Sequence, residues 1–177
     1  LLIVDEEQRF VVEQKEKIKE IKTNVDVLTL SATPIPRTLQ ISLLGIRQLS
    51  QINTSPLNRV PIQTYVMRHD PLVVKELIER ELAREGQVYY LHNRVDDIYL
   101  VASQLKTKIK GSRVGVVHGQ MDKDDIEDVM VDFYNGTINL LICTSIIENG
   151  IDVSNANLII VEQAANFGLA QLYQIKG

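Results

Sequence analysis

Residues 1–8 read LLIVDEEQ, a short apolar run followed directly by three acids and an amide. Such a run is typical of a buried strand, and open α/β sheets carry their chemistry at the carboxyl ends of their strands. There Asp5 can hold Mg²⁺, directly or through water, and Glu6 can orient and deprotonate an attacking water. Taken alone, the stretch fits a strand that ends in a solvated acidic turn equally well.

Two further stretches place polar residues directly after an apolar run. Residues 31–38 read SATPIPRT and follow the run at 25–30, and residues 144–153 read TSIIENGIDV and follow the run at 140–143. Hydroxyls after a strand also serve as simple turn caps, which would account for Ser31 and Thr33 taken alone. All three stretches together, in this order, resemble motifs II, III and V of the superfamily 2 helicases and DNA translocases.

Strand and helix patterns alternate along the chain, which predicts parallel sheets with right-handed crossovers. Strands are expected at 1–4, 25–30, near 46–52, and at 88–91, 114–117, 140–143 and 158–161. Helices are expected around 13–22 and 35–44, from Pro71 to Gly86, over 98–105 and 122–133, and from 169 onward. The prolines in residues 54–61 predict a linker between a first unit at 1–53 and a second at 62–177.

Two helix starts carry recognisable caps. Asp70 is expected to cap the helix that begins with Pro71, and Asp122 with Asp125 resembles a cap pair for a later helix. In that later helix Met130 and Phe133 are expected to face the core, and the six acids between 122 and 132 to face solvent.

The composition is that of an ordinary globular protein. The 177 residues are 45% hydrophobic and 24% charged, and the net charge of −4 gives no global basic signal for nucleic acid. This does not exclude a translocase, which follows the DNA backbone with local amides, hydroxyls and a few cations. Cys143 is the single cysteine, so a reducing, cytoplasmic location is expected. No apolar run reaches the ~18 residues of a membrane span, and no Cys/His cluster has the spacing of a zinc site.

Seven stretches resemble the bacterial transcription-repair coupling factors, a family of superfamily 2 DNA translocases: 5–10, 24–30, 31–39, 44–47, 87–95, 118–121 and 169–174. The resemblance spans essentially all 177 residues. The next nearest family is that of the fork-remodelling branch-migration translocases, which carry a longer acidic stretch after the strand near Leu91. The resemblance implies an α/β fold of RecA-like parallel sheets with helices on both faces, the helicase core of the P-loop NTPases. Residues 1–53 would be the C-terminal part of a first RecA-like domain, and residues 62–177 most of a second.

The resemblance also implies ATP and Mg²⁺ as cofactors, bound between the two RecA-like domains. In the first domain Asp5 would be the Mg²⁺-linked carboxylate, Glu6 the catalytic base, and Gln8 the link to the DNA-binding motifs. Four further residues would sense the γ-phosphate or touch a phosphate of nucleotide or DNA: Ser31, Thr33, Arg37 and Thr38.

In the second domain the resemblance places two sets of ligands on the motif V strand and the helix after it. Gly150, Asp152 and Gln174 would serve the nucleotide, since glycine lets the backbone approach a ligand and aspartate accepts hydrogen bonds from a ribose or an arginine. Thr144 and Ser145 would give hydroxyls and backbone amides to DNA phosphates.

The loop after the strand at 88–91 is a second candidate for DNA contact. Asn93 and Arg94 would touch the DNA backbone, although an ordinary polar loop fits them as well. His118 could reach DNA too, although a single histidine after a strand is more often structural, and the same holds for His92 at a strand end. His69, before the helix at 71, is expected to be exposed at the surface.

The resemblance implies ATP-dependent translocation on double-stranded DNA in transcription-coupled repair. RNA polymerase and excision-repair proteins would be partners of other regions of the parent protein. The alternatives are a fork-remodelling helicase and a non-enzymatic helicase-like binding module. No stretch reads Gly-x-x-x-x-Gly-Lys-Ser/Thr, and residues 174–177 stop before the Arg-x-Gly-Arg of the family. We therefore expect negligible ATPase activity from these residues alone.

Overall fold

The computed structural model describes residues 1–5, 10, 16–18, 21, 25–30, 50, 52, 54, 62–144, 153–168, 171–172 and 175. The chain divides into two compact units, Leu1–Gln63 with Lys176–Gly177, and Thr64–Ile175. Most of the predicted linker at 54–61 lies outside the described residues, so its conformation stays a prediction.

The first unit contains two paired strands. β1 (Leu2–Asp5) and β2 (Val27–Leu30) run parallel, in a register that sets Leu2 opposite Val27 and Asp5 opposite Leu30. Both strands were predicted from their apolar runs, and each begins one or two residues later than predicted. Of the helix predicted around 13–22, residues 16–18 and 21 are helical, and the helix predicted at 35–44 lies outside the described residues.

The second unit is built on a four-stranded parallel sheet with strand order β4-β5-β3-β6. Its strands are β3 (Gln87–Leu91), β4 (Val114–Val117), β5 (Leu140–Cys143) and β6 (Ala156–Val161). Its helices are α1 (Pro71–Leu82), α2 (Ile98–Lys108) and α3 (Lys123–Tyr134), with a 3₁₀ turn at Ala164–Asn166. The predicted alternation of strands and helices is confirmed here.

The central strand β3 is buried along its whole length because helices cover both faces of the sheet. On one face Val88 and Tyr90 pack in a core with residues of α1 and α2, among them Ile78 and Ile98. On the other face Tyr89 and Leu91 pack with Phe133 of α3 and with Phe167, which follows the 3₁₀ turn. Successive side chains of a strand point to opposite faces, so a run of apolar residues serves both cores. The predicted α/β fold with helices on both faces is confirmed.

Helix α1 begins as predicted and ends earlier than predicted. The Asp70 carboxylate accepts a hydrogen bond from Leu72 N over 2.9 Å, and Pro71 occupies the first turn. The helix ends at Leu82, and the positive φ of the following turn, 60°, belongs to Glu85 rather than Gly86. Gly86 leaves room for Glu81 instead, because a Cβ there would overlap the end of the Glu81 side chain, which would have to shift.

Helix α3 corrects one predicted cap and confirms the predicted core residues. Asp122 stands at the N-cap but makes no side-chain capping bond, so the expected cap pair with Asp125 does not form. Phe133 is fully buried and meets Tyr89 in a tilted ring contact with centroids 4.8 Å apart. Met130 is partly buried in the same core.

Candidate nucleic-acid interface

Four polar residues lie in a row at the carboxyl edge of the second unit's sheet, each directly after a strand. Their order follows that of the strands: His118 after β4, Thr144 after β5, His92 after β3 and Glu162 after β6. The last three donate backbone N–H bonds to the neighbouring strand, over 3.2 Å to Val117 O, 2.9 Å to Cys143 O and 3.0 Å to Leu91 O. The ladder therefore continues past the strand ends and fixes the positions of these residues.

His118, which the sequence suggested could reach DNA, is buried beneath Tyr99. His118 Nε2 lies 3.0 Å from the Tyr99 hydroxyl, and the two rings meet edge to face with centroids 5.5 Å apart. Gln120 N donates to His118 Nδ1 over 3.3 Å, so a neutral imidazole carries its proton on Nε2 and donates it to the Tyr99 oxygen. Tyr99 is 58% exposed, so its hydroxyl can donate its own proton to an acceptor on the solvent side.

His92 lies between two carboxylates that come from different elements. Its Nε2 is 2.6 Å from Oδ1 of Asp97, the residue before α2, and its Nδ1 is 2.5 Å from Oε2 of Glu162, the residue after β6. The His92 side chain is only 6% exposed. Tyr90, buried below on β3, hydrogen-bonds the Glu162 carboxylate as well. The cluster therefore joins the β3–α2 loop to the end of β6.

The ionisation of this cluster follows from its geometry. Burial alone would lower the pKa of His92, but the hydrogen bonds and charges of Asp97 and Glu162 outweigh burial and raise it. The hydrogen bond from His92 holds the pKa of Asp97 below its usual range. Burial, reinforced by the charge and hydrogen bond of Glu162, raises the pKa of the Tyr90 hydroxyl far above its usual range. The shifts of His92 and Asp97 both favour a positive imidazolium held by negative carboxylates, and the shift of Tyr90 keeps its hydroxyl neutral.

Asn93 and Arg94, predicted to contact the DNA backbone, are both exposed on the loop between His92 and Asp97. Arg94 Nη2 lies 3.6 Å from Oδ2 of Asp97, and the Arg94 side chain is 60% exposed. The structure thus places a cation and an amide donor at the surface, beside the buried cluster. Such a pair suits contact with a phosphate, and this role stays a prediction.

Thr144 is the one predicted motif V residue that falls within the described residues. It is buried at the edge, and its backbone N–H is used by the bond to β4. The other predicted residues of this unit, Ser145, Gly150, Asp152 and Gln174, lie outside the described residues. Their roles stay predictions.

In the first unit the structure describes one of the predicted catalytic residues. Asp5 ends β1 opposite Leu30, the last residue of β2, so both strands finish at one edge. Asp5 is exposed there, as a ligand for a hydrated cation would need to be. The remaining predicted residues of this unit lie outside the described residues: Glu6, Gln8, Ser31, Thr33, Arg37 and Thr38.

Across the described residues, no three His, Cys, Asp or Glu side chains converge as they would around a metal ion. The carboxylates beside His92 bind opposite ring nitrogens, so they cannot share one cation with it. In the same part of the chain, no helix is long and apolar enough to cross a membrane.

The sequence of the second unit matches the model of a known family. Residues 71–177 match the model of the helicase conserved C-terminal domain. The chain belongs to this family. The helicase C-terminal domain thus contains the whole row of residues at the carboxyl edge, from His92 to Glu162.

Relatives of known name extend the similarity beyond the helicase C-terminal domain. The chain is 56% identical over all 177 residues to the transcription-repair-coupling factor of Staphylococcus haemolyticus, of which it spans 15%. RecG bound to a three-way DNA junction superposes over 98% of this chain and 23% of its own, with a TM-score of 0.73 and 30% identity. Saccharomyces cerevisiae Dbp5 bound to RNA and ADP BeF3 superposes over 97% of this chain and 48% of its own. Its TM-score is 0.67 at 17% identity, so it shows the fold alone.

Four residues of this edge were not predicted as site residues from sequence: His92, Asp97, Tyr99 and Glu162. A single histidine after a strand does not reveal which carboxylates contact it. Asp97 is one of several acids nearby in sequence, and Glu162 is seventy residues away. Tyr99 lies in the first turn of α2, and its contact with His118 depends on the pairing of β4 with β5. The contacts of His92 with Glu162 and of Tyr99 with His118 are tertiary, and no local sequence pattern predicts them.

Proposed function

We propose that these residues are part of the motor of an ATP-dependent double-stranded DNA translocase that couples stalled transcription to DNA repair. The observation that carries the proposal is the identity of 56% over the whole chain with a transcription-repair-coupling factor. The chain spans 15% of that relative's length, so the activity is proposed for the parent protein. RNA polymerase and excision-repair proteins would bind other regions of that parent.

In this proposal ATP and Mg²⁺ bind between two RecA-like domains, one of which contributes residues 1–53. Asp5 holds Mg²⁺ through water, and Glu6 takes the proton of the attacking water. The position of Asp5 supports this, because it is exposed at the carboxyl end of a parallel strand. Gln8, Ser31 and Thr33 pass the state of the γ-phosphate to the DNA side.

On the second unit the nucleotide would meet Gly150, Asp152 and Gln174, with the DNA strand following the carboxyl edge. Arg94 and Asn93 support the edge as a DNA contact, because they are exposed on one loop at the strand ends. Further contacts would come from Thr144, Ser145, Arg37 and Thr38. His118 would contribute through Tyr99, whose exposed hydroxyl it orients. Hydroxyls, amides and single cations are the groups by which translocases follow a backbone.

The test is DNA-stimulated ATP hydrolysis by the parent protein and its Glu6→Gln variant. We expect the variant to lose about 10²-fold or more of the turnover, because a positioned general base contributes that much. Glu7→Gln is the matched control, since it removes a neighbouring acid of the same charge and should keep most of the activity. Absence of turnover in the wild type would instead favour a non-enzymatic helicase-like module.

One observation favours a second candidate, a fork-remodelling helicase. RecG, which is similar over 98% of this chain, was solved bound to a three-way DNA junction. The two candidates differ in substrate, so the parent should be given both a transcription complex stalled on DNA and a model replication fork. We expect ATP-dependent release of the stalled polymerase; fork regression without release would establish the second candidate.

A polypeptide of the 177 printed residues alone is expected to show no DNA-stimulated turnover. None of its residues forms the Gly-x-x-x-x-Gly-Lys-Ser/Thr loop that cradles the β- and γ-phosphates. Turnover by the purified 177-residue polypeptide, lost in its Glu6→Gln variant, would contradict this expectation.

A further inference from the structure

His92 makes two short contacts that a neutral imidazole cannot both satisfy. A neutral ring has one N–H, whereas both ring nitrogens of His92 meet carboxylate oxygens, at 2.6 Å and 2.5 Å. With a proton missing, one lone pair of the ring would face a carboxylate at hydrogen-bond distance. With both protons present, each nitrogen donates to an anion, and such charge-assisted bonds are short and strong.

The two carboxylates belong to parts of the chain that are far apart in sequence. Asp97 ends the β3–α2 loop, and Glu162 begins the segment after β6. Since His92 begins the same loop, the imidazolium closes residues 92–97 into a ring and ties that ring to the end of β6. Asn93 and Arg94 lie inside this ring, and Asp97 also faces Arg94 at 3.6 Å.

We propose that His92 is a positioning residue whose doubly protonated ring holds the 92–97 loop in the shape that presents Asn93 and Arg94 to a nucleic-acid phosphate. This role rests on the proposed function of the DNA-facing edge. The imidazolium need not touch DNA, because it is buried and both of its donors are occupied. It acts through Asp97, whose carboxylate attracts the Arg94 guanidinium across 3.6 Å.

The proposal predicts that the loop loosens as pH rises. The groups that face His92 are Asp97 on its own loop, Glu162 after β6 and, behind Glu162, Tyr90 of β3. β5 offers the Cys143 carbonyl to the His92 backbone, and burial keeps its thiol protonated by raising the thiol pKa. Arg94 faces Asp97 from outside. The charge of the clamp therefore depends on His92, whose pKa is raised above 6.5, so that it keeps its proton at pH 6.5 and loses it as the pH rises further.

The first experiment follows the loop itself, without DNA. Hydrogen–deuterium exchange of the 92–98 peptide is measured in the parent protein and in His92→Gln, from about pH 6 to about pH 9. Comparison of the two proteins at each pH removes the intrinsic pH dependence of exchange. We expect the wild-type loop to be protected at low pH and to lose at least about tenfold of that protection at high pH. The variant should show no such change.

The second experiment measures DNA affinity over the same pH range. Wild-type affinity is expected to fall about tenfold as His92 loses its proton, the weight of one charge-assisted contact. His92→Gln and Arg94→Gln should each remove this pH-dependent part, and the double variant should lose no more than either single one. His69→Gln is the matched control, because His69 is exposed at the start of α1 and should leave the profile unchanged.

A further variant allows the proposal to be tested even if His92→Gln folds poorly. Asp97→Asn removes one of the two carboxylates at nearly constant volume, so the transition of the loop should shift to lower pH. An exchange pattern without pH dependence in wild type, or one unchanged in Asp97→Asn, overturns the proton-dependent clamp. Loop exchange that does follow pH, together with DNA affinity that does not, overturns the role in DNA contact and counts against the proposed DNA-facing edge.

Discussion

The pKa of His92 is raised and the pKa of Asp97 is lowered, and both shifts reflect the stability of the same ion pair. The pKa of His92 is raised above 6.5, so the native state binds its proton more tightly than the unfolded chain does. That contribution to stability is full below pH 6.5 and is lost as the pH rises through the folded pKa. The pKa of Asp97 is lowered from 3.8, so its contribution is full above pH 3.8 and is lost in acid.

The free energy of unfolding of the second unit should therefore fall as the pH rises from 6.5 through the folded pKa of His92. Urea titrations at several pH values measure it, and His92→Gln should remove this part of the slope. His69→Gln serves again as the control and should keep the slope. At each pH, the free energy of unfolding of His92→Gln is subtracted from that of the wild type. If this difference rises with pH instead of falling, the raised pKa of His92 is contradicted.

Gly86 is a second residue whose role depends on its surroundings. A Cβ at this position would lie 2.1 Å from Oε1 of Glu81, a buried carboxylate that pairs with Arg84. Gly86→Ala should therefore destabilise the second unit by about 1–3 kcal/mol, the usual cost of overpacking. Gly168→Ala is the control, since its Cβ would meet nothing nearer than 3.7 Å. Thermal unfolding of both variants measures the difference, and equal melting temperatures would refute the clash.

At the level of elements, the two predicted helix caps behave differently, although both are aspartates before a helix. Asp70 accepts a bond from Leu72 N over 2.9 Å, whereas Asp122 makes no side-chain capping bond. Asp70→Ala should cost about 1 kcal/mol of stability, within the range for a lost cap. Asp122→Ala should cost clearly less. Denaturant unfolding of both variants tests this, and an equal loss would mean that the observed hydrogen bond is not what stabilises α1.

The elements of the second unit follow from sequence because their signals are local. β4 and β5 have the predicted bounds, since each is a run of four nonpolar residues with a polar residue at either end, which defines where the strand can begin and end. The end of α1 was misplaced because Gly86 looked like a helix terminator, while the left-handed conformation falls on Glu85. A glycine that is present for space and one that is present for conformation look the same in a sequence.

At the level of the whole chain, one division between the two compact units falls between Gln63 and Thr64. Residues 62–70 are exposed and form no helix or strand, so this segment should be open to proteases. In limited digestion, trypsin should cut after Arg68 before it cuts after Arg80, which lies within α1. Mass spectrometry of the early fragments identifies the site, and Arg68→Gln should delay cleavage there. Earlier cleavage after Arg80 would show that α1 opens more readily than the junction.

The family and the α/β fold could be predicted from sequence because three motifs and the strand pattern agree in order. The candidate site could be predicted only in part. Residues within two positions of a strand end, such as Thr144 and Asn93, can be picked out in a sequence, because strand ends mark the edge of a parallel sheet. The pairing of His92 with Glu162 depends on β6 lying next to β3, and the order of strands in the sheet cannot be read from the sequence.

The central position of β3 also has a mechanical consequence. Its neighbours β5 and β6 both run parallel to it, and side-chain bonds hold both of its ends, at Gln87 and at His92. A force that pulls along β3 would load all of its backbone hydrogen bonds in shear at once, whereas a force at an edge strand peels them one by one. The strand that carries the 92–97 loop is therefore bonded to a neighbour on each side, and a load received at the loop would pass to both β5 and β6.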